Sequence, residues 1–418
     1  MAEDRHVRVL VVGGGPSGLA AATGLAASGE VVVLEREAQA GGIPRHSDHT
    51  GYGLRDVKRV MTGPSYARHW RRRAVGAGSE VIESAMATDW ADKRTLWVTS
   101  PEGRYRISAD AIVLATGARE RPRSARRIPG DRPAGVLTTG QLQNMVHVHH
   151  QEVGRRAVVV GAELVSWSAV LTLREAGCRT AAMTTRYQKS ESYAAFRFAG
   201  RLALRTPVRT RTEVVRIDGR DRVEAVVVRD LVNGKESRIE CDTVVLTGDW
   251  IPDNELARSA GVELDPGTLG PAVDSALRTD MPGLFAVGNL LHPVDTADVA
   301  SLDGTHVVPA VLDWLKSGTT RAGARIGTDA SLRWVTPQYV EVGLAAPARD
   351  RLLTWCDEFV SFPVVEVRQS GAVVSSHRVP WPAAPGRVFR IPASVLNDVD
   401  VARGPIELGL KGRDGRTR

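Results

Sequence analysis

The stretch Val7 to Glu35, VRVLVVGGGPSGLAAATGLAASGEVVVLE, constrains this chain more than any other. An apolar, β-branched run ends in a glycine turn, a small-residue helix follows, and a second apolar run closes on an acid. Gly13, Gly15 and Gly18 have the G-x-G-x-x-G spacing. Gly13 permits the sharp turn, Gly15 lets backbone approach a pyrophosphate, and Gly18 lets helix and strand pack closely. The helix start then offers free N–H groups and the positive dipole end to phosphate. Glu35 ends the second strand, where an acid can accept from ribose hydroxyls. The spacing predicts a strand–turn–helix–strand dinucleotide site.

At 418 residues the chain is long enough for two or three domains. Its net charge of +7 is carried by arginine, since only six lysines occur. The basic runs Arg71–Arg73 and Arg119–Arg127 are not interleaved with aromatics, as a nucleic-acid groove would be. They read as solvated surface, and no nucleic-acid partner is expected. Cys178, Cys241 and Cys356 form no C-x-x-C or other close motif. This argues against a redox disulfide, a zinc site or an iron–sulfur cluster, and fits a reducing compartment. No uninterrupted apolar run reaches membrane-spanning length. The expectation is a cytoplasmic protein without a membrane span.

After Glu35 the pair Gly41-Gly42 can pass close to a ligand, and Arg45, His46, Ser47, Asp48 and His49 follow in a loop dense in titratable groups. Residues 65–77 read as a helix. Residues 81–86, 95–99, 105–107 and 111–114 read as strands. The last runs into ATGARERPR, and PGLFAVGN occupies residues 282–289. In this order, with GGGPSG and Glu35, these segments resemble the two-dinucleotide-binding flavoproteins, whose fold is that of glutathione and thioredoxin reductases. The likeness covers roughly residues 5–320. Within it, GGIPRHSDHTGYGL and MTGPSYA are similar to FAD-binding subunits of bacterial amino-acid, opine and hydroxyproline dehydrogenases. They are also similar to flavoproteins encoded beside glycerol-3-phosphate dehydrogenases.

The resemblance implies bound FAD. Gly13, Gly15 and Gly18 would hold its pyrophosphate and Glu35 its adenosine ribose, with Arg36 beside the adenine and Ala87 at the adenine edge. Gly42 would pass near the cofactor, Gly117 would close the first crossover, and Gly288 and Asn289 would meet the ribitol and phosphates. The family usually has Asp where this chain has Asn289. Asn still donates and accepts, without the charge-assisted bond of a carboxylate. Residues 292–304 would point a helix N-terminus at the flavin pyrimidine.

A second strand–turn–helix–strand unit begins at residues 156–160, but its three glycine positions are Gly161, Glu163 and Ser166. A carboxylate 4 Å from a phosphate costs about 4 kcal/mol at an effective dielectric near 20, on the order of a thousandfold in affinity. This unit is expected to keep the fold and to bind NAD(P)H poorly. Without cysteines beside the flavin, the chemistry turns toward oxidation of a small organic substrate.

His46 and His49 stand where the disulfide-reductase relatives carry their cysteines, and histidine suits proton transfer near neutrality. Arg45 can take a substrate carboxylate in its bidentate fork. The alternative for this loop is a stabilising network with Asp48 as partner. Tyr52, Asp249, Trp250, Asp295 and especially His292, held extended before a proline, are further candidates near the flavin. His147, His149 and His150 do not share a helix face, so a metal site is not expected there, and an exposed helix end is the preferred reading.

From about Ser331 the chain reads as short strands broken by turns, with the Pro-rich WPAAPG between two of them. The expected architecture is α/β. An FAD-binding domain (residues 1–125 and 245–330) carries an inserted NAD(P)-like domain (126–244) and is followed by a small β-rich C-terminal domain (331–418). Three activities remain open. One is an FAD-dependent oxidoreductase for an amine, amino acid or hydroxy acid, reoxidised by oxygen or a partner. The others are an NAD(P)H-dependent flavin reductase and an FAD-carrying electron-transfer subunit of a heteromeric dehydrogenase. An electron acceptor, a second subunit or an oligomer is compatible with the sequence.

Overall fold

The computed structural model describes residues 4–193, 204–341 and 346–411. The opening stretch forms the strand Arg5–Val12, the helix Pro16–Leu25 and the strand Val31–Leu34. Six strands form a sheet in the order Glu80–Ile82, Val31–Leu34, Arg5–Val12, Gly103–Leu114, Thr95–Ser100 and Met86–Asp92; Leu284–Ala286 joins it beside Gly103–Leu114. Residues 105–107 and 111–114, read from the sequence as two strands, are parts of the single strand Gly103–Leu114. Residues 103–108 pair antiparallel with Thr95–Ser100 and residues 107–114 pair parallel with Arg5–Val12; less and more buried residues alternate over 106–111, and residues 111–114 are continuously buried. The change of period reflects a change of environment.

Helices Pro16–Leu25 and Ala297–His306 pack face to face without room for a side chain between them. A Cβ on Gly304 would lie 2.0 Å from the Ser17 carbonyl oxygen, and one on Gly288 would lie 2.7 Å from Ser17 Oγ. The helix expected over 65–77 is Gly63–Gly76, started by the Ser65 N–H donating to Thr62 Oγ1.

The second unit repeats the plan. A parallel sheet runs Val136–Thr138, Thr243–Leu246, Arg156–Val160, Arg179–Thr184, Val208–Arg209, beside a three-stranded antiparallel sheet. Its helix Leu164–Glu175 follows Glu163 directly. The chain crosses between the units through Ala118–Glu120 and Trp250–Pro252, which pair antiparallel.

The strands from Ala324 onward form a five-stranded sheet and a three-stranded sheet around their own core, which includes Ile326, Leu352, Val365, Val367, Phe389, Ile391 and Leu408. The strand Ala324–Thr328, placed by sequence with the FAD-binding part, pairs parallel with Ile406–Leu410 in this C-terminal sheet. Its glycine and its one charge, Gly327 and Arg325, hide the strand period. The sequence-read strand running to Leu344 ends in residues 342–345, outside the described residues.

Candidate active site

The first glycine turn opens onto a cleft of about 2480 Å³ that continues across to the second loop. Gly13 adopts φ +109°, and a Cβ there would lie 2.4 Å from the Ala115 carbonyl oxygen. Gly15 differs: its hypothetical Cβ has only Gly42 Cα within reach, at 4.0 Å, so bare backbone faces the cleft. The helix behind it has Pro16 in its first turn and no side-chain cap, which leaves its first N–H groups for a ligand. Glu35 is buried on the cleft wall. One oxygen accepts from the Gly14 N–H at 3.0 Å and the other from the Glu37 N–H at 2.8 Å, which leaves lone pairs for ribose hydroxyls. Burial raises its pKa.

Arg36, Gly42, Ala87, Gly117 and Asn289 line the same cleft. Arg36 reaches Asp253 at 3.3 Å. Asn289 donates from Nδ2 to the Asp295 carbonyl at 3.0 Å, while its buried Oδ1 has no partner. An orphaned acceptor in the wall and an uncapped cradle opposite are what an extended dinucleotide satisfies, so these residues fit FAD. Gly18 and Gly288 lie outside the cleft wall. Both serve close packing: a Cβ on Gly18 would lie 2.0 Å from the Gly13 carbonyl oxygen. Their expected part in touching the cofactor is therefore corrected to shaping the backbone beneath it. The helix Ala297–His306 begins at the cleft.

The loop after Gly42 folds as a short turn over Ile43–His46, then pairs Thr50–Tyr52 with Met61–Thr62. His46 is buried; burial and the nearby Arg45 charge push its pKa down to about 4, so it is neutral near pH 7. His49 sits in a different setting. Its Nδ1 lies 2.9 Å from the Thr50 carbonyl oxygen, which can only accept, so Nδ1 carries the proton and Nε2 the lone pair of the neutral ring. Nε2 is 2.7 Å from Ser168 Oγ and 3.0 Å from Ser47 Oγ. The Gln143 amide donates to Ser168 Oγ at 2.7 Å and to Ser47 Oγ at 3.2 Å. The network expected around Asp48 is thus built from Ser47, Ser168 and Gln143 instead, and Asp48 is exposed. Ser168 and Gln143 belong to the second unit, 119 and 96 residues from their partners; no local pattern signals such a pairing.

Arg45 lines the cleft 3.6 Å from Glu37, with its Nε buried and unpaired. Tyr52 lies 5.5 Å from the His49 ring. Asp249 and Trp250 line the cleft at the crossing between units, where Asp249 accepts from Arg121 at 3.1 Å. His292 does not reach the cleft. It is 2% exposed and bonds Asp303, whose other oxygen accepts from Arg349. Its place as a catalytic candidate is corrected to a buried brace. His147 is partly buried, 3.3 Å from Thr172 Oγ1, and not the exposed helix end expected; His149 and His150 are exposed. Among the described residues no group of side chains is arranged to hold a metal ion.

At the second loop Glu163 is buried in the cleft wall with Glu191 and Glu120. Burial, and then Glu163 itself, push the Glu191 carboxyl up to about 8; burial likewise raises Glu120. Each of the three has one oxygen without a partner. Asp295, at the start of the helix beside Asn289, takes the Arg390 guanidinium from the C-terminal strands at 2.6 and 2.9 Å. None of Glu120, Glu191 or Arg390 stands in a motif whose spacing signals a site. Among the described residues no helix is long and apolar enough to cross a membrane.

Known proteins resemble this chain in sequence and fold. An opine oxidase subunit of Agrobacterium tumefaciens (strain Ach5) is 27% identical over 355 residues, covering 76% of this chain and 67% of its own length. The alpha chain of sarcosine oxidase from Corynebacterium sp. (strain P-1) is 28% identical over 266 residues, covering 59% and 26%. The chain thus spans about two thirds of one relative and a quarter of the other. Among solved structures, the T. acidophilum thioredoxin reductase superposes with a TM-score of 0.62 at 21% identity, covering 73% of this chain and 98% of that one. L-proline dehydrogenase of P. horikoshii gives 0.55 at 18% identity, covering 74% and 56%. The family described as pyridine nucleotide-disulphide oxidoreductase matches residues 7–304, and the chain belongs to it as an FAD-dependent oxidoreductase.

Proposed function

We propose that this chain oxidises a small amine, amino acid or hydroxy acid, and that NAD(P)H is not its reductant. The observation that carries this reading is Glu163, buried beside Glu191 and Glu120 at the position where a nicotinamide dinucleotide would need bare backbone. Bound FAD supplies the two-electron acceptor. Arg45, with an unpaired Nε, receives the substrate carboxylate. His49 Nε2 accepts the proton that the substrate nitrogen or oxygen loses, with the Ser47 and Ser168 hydroxyls beside it to pass the proton on. His46, neutral and enclosed, shapes the loop. Gly13, Gly15, Glu35, Arg36, Gly42, Ala87, Gly117 and Asn289 are the residues proposed to contact FAD.

The strand pairing supports reading residues 1–125 with 245–330 as the FAD-binding domain around an inserted 126–244, except that the strand Thr243–Leu246 pairs within the inserted unit and the C-terminal domain starts a few residues before 331. Both relatives are named as components of larger oxidases and exceed this chain in length, which favours a second subunit or acceptor protein taking the electrons.

Anaerobic mixing with a panel of amino acids, opines and hydroxy acids tests the reading. One class is expected to bleach the flavin while NADH and NADPH leave it oxidised. Rapid bleaching by low-micromolar NADH or NADPH would sink it.

A further inference from the structure

The second nucleotide loop has a neighbour from far along the chain. In a loop of this kind the second glycine is bare because a pyrophosphate approaches its backbone. Here that position is Glu163, and what packs on it is the turn of WPAAPG. A Cβ built on Gly386 would lie 3.1 Å from Glu163 Cβ and 2.5 Å from Glu191 Cβ. Gly386 adopts φ +74°, so only a glycine backbone is pressed between the two acidic side chains. The turn is held on both flanks. On the inserted unit, Arg387 lies 4.8 Å over the Tyr193 ring, and Phe359 meets Tyr187 at 6.1 Å and Lys189 at 4.4 Å. On the FAD-binding side, Arg390 pairs with Asp295 and Arg349 with Asp303.

This inference rests on the reading that NAD(P)H is not the reductant, and gives that reading a steric cause. We propose that Gly386 is a specificity-determining residue: its turn, residues 384–387, occupies the place of a nicotinamide dinucleotide's pyrophosphate on the second loop, whatever charge residue 163 carries. The two obstacles differ in kind. The Glu163 carboxylate repels phosphate, and a glycine there would remove that repulsion. The turn fills volume, which a glycine at 163 would leave filled. The flavin is thereby reserved for reductants that enter from the His49 side of the cleft.

The test measures equilibrium binding of NADH and NADPH, from the fluorescence of their own nicotinamide, to the FAD-loaded protein in three forms. The unaltered chain and Glu163→Gly are expected to show no saturable binding at millimolar nucleotide. Glu163→Gly combined with residues 384–387 shortened to two glycines is expected to bind at least tenfold tighter than either. If Glu163→Gly alone binds as well as the combined variant, charge is the only obstacle and the proposal falls. It falls equally if the combined variant holds its flavin and still does not bind. Should shortening the turn cost the flavin, hydrogen exchange on the unaltered holoenzyme decides. The amides of residues 386–388 are expected to exchange at least tenfold slower than free chain, with or without NADH; free exchange, or a change on adding NADH, overturns the docking. Reduction of the unaltered flavin by NAD(P)H would overturn the proposed function itself, a different outcome from binding gained by Glu163→Gly alone.

Discussion

His49 and His46 lie three positions apart and have opposite prospects. Burial beside Arg45 holds His46 neutral down to about pH 4, so a catalytic pH profile near neutrality does not report it. His49 presents an Nε2 lone pair to two hydroxyls at the cleft. Replacing His49 with Ala is expected to lower kcat by about 10²- to 10⁴-fold, with the flavin-to-protein ratio unchanged; an unaltered kcat with any substrate that bleaches the flavin would remove it from the chemistry. Gly15 makes a complementary case. A Gly15→Val side chain would point into the cradle rather than into packed protein. The variant is expected to fold and to lose FAD. Its stability should match that of the flavin-free parent, the linkage energy of about 3–4 kcal/mol at a hundred to a thousand times Kd being absent from both. Melting curves of stripped and loaded protein check this.

At the scale of elements, what the sequence reveals depends on the reach of each interaction. The first glycine turn, its helix and its acid lie within one contiguous segment, and the broken second copy is visible for the same reason. Gly103–Leu114 reads as two strands because a single strand changes neighbours midway and with them its period. Ser168 and Gln143 converge on His49 only once two sheets have formed, and Gly386 reaches Glu163 only when the third has docked. Such pairings leave no spacing to read. Arg390→Ala belongs to this scale: it strips the buried Asp295 of its cation and is expected to destabilise by about 3 kcal/mol or more. Denaturant unfolding of the variant beside Asp295→Asn/Arg390→Ala tests this, since neutralising both partners should recover part of the loss.

For the molecule as a whole, the C-terminal strands join the two strand–turn–helix–strand units through a surface that contains Glu191. Its carboxyl, near 4.5 when exposed and about 8 here, is favoured in the protonated form by folding. A raised folded pKa contributes stability fully below the unfolded value and loses it as pH rises through the folded one. The contact between the turn and the second unit is therefore expected to weaken between about pH 5 and 9, and Glu191→Gln to flatten that dependence. Melting temperature measured across this range checks it; a parent curve as flat as that of the variant would count against the Glu191 assignment. Asp303 behaves oppositely. Burial alone would raise it, but Arg349 and His292 hold it at about 2, so its contribution is present above about pH 4 and fades as pH falls toward 2.

Part of the cleft wall is made by Arg333, Trp355, Arg387 and Arg390, all from the last quarter of the chain. Once synthesis has passed His306, every element around the cradle at Gly15 has been made and its far wall has not. Cofactor loading then becomes a matter of timing: entry is easy before the last strands close over the site and slow afterwards. FAD supplied at the start of refolding is expected to be captured several-fold faster than FAD added to the finished apoprotein, as followed by flavin fluorescence, and equal rates would mean that the wall opens freely.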